Sequence, residues 1–169
     1  MAESTPFERL LPCLLDRLTD DEPRKKQESR TQRVMSMPKY RQAVMRDLSW
    51  LLNTPANAEK SGFSQFPEII TSVLNYGIQN VSGVTASSLE ADDVRYQLSE
   101  ALRRFEPRIL PDTISIVVSL SPQEMSDRRS LWFEIRGALW SEPIPESLFI
   151  KTELDLETGK ARLNWGIGG

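Results

Sequence analysis

The side chains best suited to chemistry meet at Glu106-Pro107-Arg108-Ile109, where a carboxylate and a guanidinium flank a proline. Pro107 fixes the backbone, so Glu106 and Arg108 are expected to project from a stiff corner and engage groups on a partner. Arginine supports bidentate pairing, and a partly buried pair of this kind gains specificity more than stability. The plainer reading is a surface Glu and Arg beside a proline that stops a helix. Arg46 and Trp50 stand four residues apart, as neighbours on a helix surface do. They read either as a solvated face with one amphipathic Trp or as an Arg–Trp pair of the kind found at interfaces. Asp47 precedes Leu48 and is expected off the core face. Asn75-Tyr76-Gly77 reads as a helix stop or, alternatively, as a recognition loop.

What the chain lacks is as informative. Its 169 residues contain no His and one Cys. Ser-His and Cys-His catalysis and the common zinc sites therefore drop out, leaving carboxylates, Lys and Tyr as acids and bases. No cofactor or metal site is expected. Cys13 falls among leucines and reads as a small core hydrophobe, and a lone Cys fits a reducing compartment. The 21 basic and 24 acidic residues leave a formal charge of -3, a poor balance for nucleic-acid binding. No stretch approaches the ~18 apolar residues of a spanning helix, so no membrane insertion is expected. MAESTPFERLL has no positive region followed by an apolar one, so a cytoplasmic location is expected.

Helices must position these residues. Thr5 and Glu8 have capping-box spacing around Pro6, and Phe7, Leu10, Leu11, Leu14, Leu15 and Leu18 form a stripe at helical period. Pro12 requires this helix to kink or to start near Leu11. Residues 1–18 read as an amphipathic segment. Residues 19–33 hold no large apolar side chain and read as a charged linker, or alternatively as an arm that orders on a partner. Residues 34–169 read as one domain. A helix is predicted from Pro38 to Leu52, capped by Ser36, with Tyr40, Val44, Leu48, Leu51 and Leu52 on one face. A short helix is predicted from Pro67 to Leu74. Another, opened by Ser87 and Glu90, runs to Phe105 with Val94, Leu98, Ala101 and Leu102 inward.

From Thr113 the period becomes 2. Strands are predicted over 113–120, 131–139, 148–156 and 161–165, with a polar connection after Leu120 and a turn at Thr158-Gly159. The pattern gives an α+β fold, with N-terminal helices packed on a mostly antiparallel C-terminal sheet. The last hairpin, ahead of Gly166-Ile167-Gly168-Gly169, either offers an unpaired edge to another chain or is short, twisted or covered.

The Glu106-Pro107-Arg108-Ile109 corner resembles the signature of the TssE family, the small wedge subunit of the type VI secretion baseplate. The resemblance extends across most of the chain. Leu14-Leu15-Asp16-Arg17-Leu18 is similar to the family's N-terminal leucine-rich segment, and residues 40–54 resemble its long-helix motif. Ser72-Val73-Leu74-Asn75-Tyr76-Gly77 resembles its central motif, with Val81-Ser82-Gly83 following in order. Four fragments in order around one corner make the match specific. It implies a structural, non-enzymatic subunit that assembles with TssF and TssG, with TssK in the wider baseplate, and that helps seed the TssB–TssC sheath through the C-terminal edge. It also implies an assembly role for Glu106, Pro107 and Arg108. On that reading, charge reversal at Arg108 is expected to block assembly and spare the fold.

Two other classes remain. Relatives of the family have carried a lysozyme-like label, but a glycosidase needs two carboxylates flanking one bond and an acid of raised pKa, whereas Arg108 beside Glu106 acts in the opposite sense. A cytosolic adaptor that binds one partner is the alternative that composition also allows.

Overall fold

The predicted periods become elements because each places its apolar residues on one side. The computed structural model of the chain describes residues 10, 12–19, 23–24, 35–57, 65–83, 90–119 and 130–166. Helix α1 spans Leu14–Leu18, α2 Met37–Leu52, α3 Pro67–Thr71 and α4 Ala91–Phe105. Strands β1 (Ser115–Ser119), β2 (Ser130–Leu139), β3 (Glu146–Asp155) and β4 (Ala161–Trp165) follow in that order across one antiparallel sheet. The fold is α+β, as the pattern predicts.

Helix α2 buries Tyr40, Ala43, Val44, Leu48, Leu51 and Leu52, and α4 buries Val94, Leu98, Ala101 and Leu102. Both stripes meet the inner face of the sheet, where Ile116, Leu131, Phe133, Ile135, Leu148, Ile150 and Leu154 are buried in the same cluster. In α4, Asp92 and Asp93 occupy the first turn and Arg103 and Arg104 the last, each favourable to the helix dipole. Ser36 is the capping residue of α2, but its side chain makes no capping bond; Pro38 in the first turn sets the entry. The capping residue of α4 is Glu90, so the helix begins after the predicted box, and Ser87 lies outside the described residues.

Two helices depart from expectation. The predicted 67–74 helix ends at Thr71, and Val73–Asn75 form a separate 3-10 turn. Ser72 is extended and its Oγ accepts from Leu74 N at 3.2 Å, a local bond that competes with the helix ladder. Gly77 then takes φ +128°, and a Cβ there would lie 2.2 Å from Thr54 O. Only glycine lets this loop run against Thr54, whose carbonyl accepts from Ile78 N.

Helix α1 begins beyond Pro12, which removes the interior-proline conflict. None of its residues is buried: Leu14 is 70% exposed and Leu18 74%, while Leu10 packs inward and bridges Met35. Cys13 is half-buried rather than part of the core, because its thiol turns to Asp16 Oδ2 at 2.9 Å. The Thr5, Pro6 and Glu8 signal, Phe7, Leu11, most of 19–33, the connection over 121–129 and Ile167 to Gly169 lie outside the described residues.

Candidate functional site

The corner is a tight turn. Glu106 N closes α4 on Leu102 O at 2.9 Å, and Ile109 N reaches back to Glu106 O at 3.1 Å. Pro107 stands at the second position of that turn, where its fixed φ belongs. Ile109 is fully buried and bridges Leu139, and Trp140 N donates to Arg108 O at 2.7 Å, so the turn is fixed to the end of β2.

This anchoring reverses the expected direction of Glu106. The carboxylate does not project: the residue is 2% exposed, and Arg108 folds back over it. Arg108 Nε donates to Glu106 Oε1 at 2.6 Å and Nη2 to Oε2 at 2.5 Å, the fork-to-fork geometry of a strong pair. The same Nη2 donates to Asp47 Oδ2 at 2.7 Å, across from α2. Arg46 Nε holds the other Asp47 oxygen at 2.8 Å, and Arg46 Nη1 donates to Asp16 Oδ1 of α1 at 2.5 Å. Five side chains thus alternate in sign, Glu106, Arg108, Asp47, Arg46 and Asp16, and tie α1, α2 and the corner together.

Electrostatics follow from this order. Burial works against the Arg108 charge, but the hydrogen bonds and charges of Glu106 and then Asp47 raise its pKa above the ordinary arginine value. Hydrogen bonds to Asp47 and then Asp16 raise that of Arg46. Desolvation raises the Asp16 pKa, and the bonds from Arg46 and Cys13 more than offset it, so it falls below 3.8. Both carboxylate oxygens of Glu106 face the Arg108 guanidinium. Among the described residues, no cluster of His, Cys, Asp or Glu could hold a metal ion.

The other predicted residues divide. Arg46 and Trp50 do come together, with the guanidinium 5.2 Å from the ring centroid, and Trp50 stays 51% exposed. Tyr76 joins the site from behind: its ring packs edge-on against Phe105 at 5.2 Å, its hydroxyl donates to Asp47 O at 3.4 Å, and burial raises its pKa. Asn75 is buried and donates to Ile70 O at 3.0 Å, holding the loop after α3. Pro107 is exposed. Asp47 and Asp16 carry the chain of charges; Asp47 was expected off the core face, and neither was assigned a partner. The one local signal was the Arg46-Asp47 adjacency, since Asp47 and Arg108 are 61 residues apart.

The terminal hairpin places β4 at one sheet edge. The Asn53 side-chain amide, at the end of α2, donates to Ala161 O and accepts from Ala161 N, filling the first outward position of that edge. Arg41 lies 5.7 Å over the Trp165 ring at the other end of the strand. No helix among the described residues is long and apolar enough to cross a membrane.

A family model described as baseplate wedge protein gp25 matches residues 38–144, a span that contains α2, the corner, β1 and β2. No curated protein and no solved structure matches the chain.

Proposed function

Starting from the fact that this chain belongs to the baseplate wedge protein gp25 family, we propose that it is the small wedge subunit of a type VI secretion baseplate. The family supplies the structural role in a baseplate; the resemblance to TssE supplies the secretion-system branch. TssF and TssG are the proposed wedge partners, with TssK in the wider baseplate, the TssB–TssC sheath above it, and the cytoplasm as the compartment. The protein acts by assembly and carries no catalytic residue.

The observation that supports this reading most strongly is the self-neutralised corner. Glu106, Arg108 and Asp47 satisfy one another, so the corner is rigid before any partner arrives. A preformed surface loses less conformational entropy on binding than a mobile one. Pro107, the exposed ring of Trp50 and the outer stem of Arg46 form the rim offered to a partner. Glu106 and Arg108 hold that rim in place from inside. The sheath contact is assigned to the β4 edge beyond the position that Asn53 fills.

This arrangement changes the decisive variant. Reversing Arg108 would leave Glu106 buried opposite a like charge and unfold the corner, so lost assembly would be uninformative. Trp50→Ala trims an exposed ring and leaves the core untouched. Co-expression with TssF and TssG, followed by size exclusion and mass analysis, is expected to give a stoichiometric complex with the natural chain and at least a tenfold loss with Trp50→Ala, about 1.4 kcal/mol. A folded natural chain that stays alone in the presence of both partners refutes the wedge assignment.

A further inference from the structure

The sheet has a second edge, on β1, that the wedge reading leaves unused. Ala138 of β2 turns both backbone groups toward the segment before β1: its N–H donates to Thr113 Oγ1 and its C=O accepts from Leu110 N. Alternation along β2 gives Trp132, Glu134 and Arg136 the same direction, and the register sets them opposite Ser119, Val117 and Ser115. The N–H and C=O groups of Ile116 and Val118 therefore point away from the sheet. Among the described residues nothing hydrogen-bonds to them, whereas Asn53 covers the first such position of β4.

Beside this edge runs a groove of about 560 Å³, walled by Asp92, Arg95, Tyr96, Ser99 and Arg103 of α4 and floored by Ile116. Its charge is unbalanced. Arg95 is paired with Asp92 at 2.7 Å, but Glu100 serves two arginines, Arg104 at 3.1 Å and Arg103 at 3.6 Å, so Arg103 is left partly uncompensated. On the opposite face of the sheet, Val117 and Trp132 are exposed apolar side chains. An added strand would meet arginine on one face and apolar surface on the other, with unpaired backbone groups between them.

We propose that the β1 edge and the α4 wall form a strand-accepting groove for an extended segment of a partner protein that carries acidic side chains toward α4 and apolar ones toward Val117 and Trp132. Main-chain bonds to Ile116 and Val118 give the affinity, and the alternating side chains give the register. The occupant's period of 2 follows from the strand, and its charge follows from Arg103.

The probe is a nine-residue, end-capped peptide of alternating valine and glutamate, titrated into the full chain while backbone amides are followed by NMR. Binding is expected to slow exchange at Ile116 and Val118 by roughly tenfold, with Leu163 and Trp165 of β4 unchanged. Val118→Pro removes one outward donor without breaking the β1–β2 ladder, and is expected to abolish binding in a folded protein. Arg103→Glu, a surface change, is expected to weaken the glutamate peptide several-fold and to favour a lysine counterpart. No binding at millimolar peptide, protection at β4 instead of β1, or full binding by folded Val118→Pro would overturn the proposal. Its outcome is separable from that of the TssF–TssG complex, since either result can occur without the other.

Discussion

Arg108 shows how little a motif says about direction. Flanked by charge and beside a proline, the corner looks like a surface feature, yet its guanidinium lies between Glu106 and Asp47 with 19% of the side chain exposed. Removing one partner of a buried pair leaves the other charge uncompensated. Arg108→Met is therefore expected to destabilise the protein by about 3–5 kcal/mol in urea titration. Adding Glu106→Gln is expected to recover part of that loss, which a double-mutant cycle would read as coupling between the two. Thr152 is the opposite case. It is fully buried on the inner face of β3, and among the described residues its hydroxyl has no partner. Thr152→Val keeps the shape and removes an unsatisfied group, so calorimetry is expected to show a gain of about 1 kcal/mol.

Among the described residues, α1 is tied to α2 by one ion pair. It buries none of its own residues, and Asp16–Arg46 is its ion pair to α2. The folded-state pKa of Asp16 is depressed, so its contribution is complete above the ordinary value of 3.8 and is lost as pH falls through the lower folded value. Protection of the amides in 14–18, taken relative to the intrinsic exchange rate at each pH, is expected to fall over that acidic window, before the sheet opens. Asp16→Asn is expected to produce the same release at neutral pH while leaving α2 and β2 protected. Equal exchange in variant and natural chain would show that other contacts hold α1. The sequence signalled α1 by its leucines, yet Leu14 and Leu18 are exposed, because helical period reports an apolar face and not what covers it. Ser72 likewise ended α3 early, because its side chain bonds its own backbone.

At the scale of the whole molecule, α2 is the shared support. Its inner face fills the core, Asn53 at its end covers the start of β4, and Arg46 and Asp47 on its flank hold α1 and the corner. A change at Asp47 should therefore travel. Asp47→Ala would leave both arginines short of a partner, and is expected to lower stability by about 2–3 kcal/mol and to reduce recovery of the proposed complex with TssF and TssG more than Trp50→Ala does at equal protein concentration. Thermal melts beside the co-purification would separate the two effects; an unchanged melting temperature would show that Asp47 is not a support.

The sequence by itself determined the class of fold, the limits of α2, the four strands and their inward residues, because apolar period and breaker residues act within a few positions of one another. It also determined that Glu106-Pro107-Arg108 is a fixed corner, since proline acts locally. Tertiary structure decided which way that corner faces. Asp47 meets Arg108 across 61 residues, and Asp16 meets Arg46 across 30, only after the core has packed α2 against the sheet. Charge carries no period that announces such partners, and the cost of burying Glu106 unpaired is what selects the arrangement in which they meet.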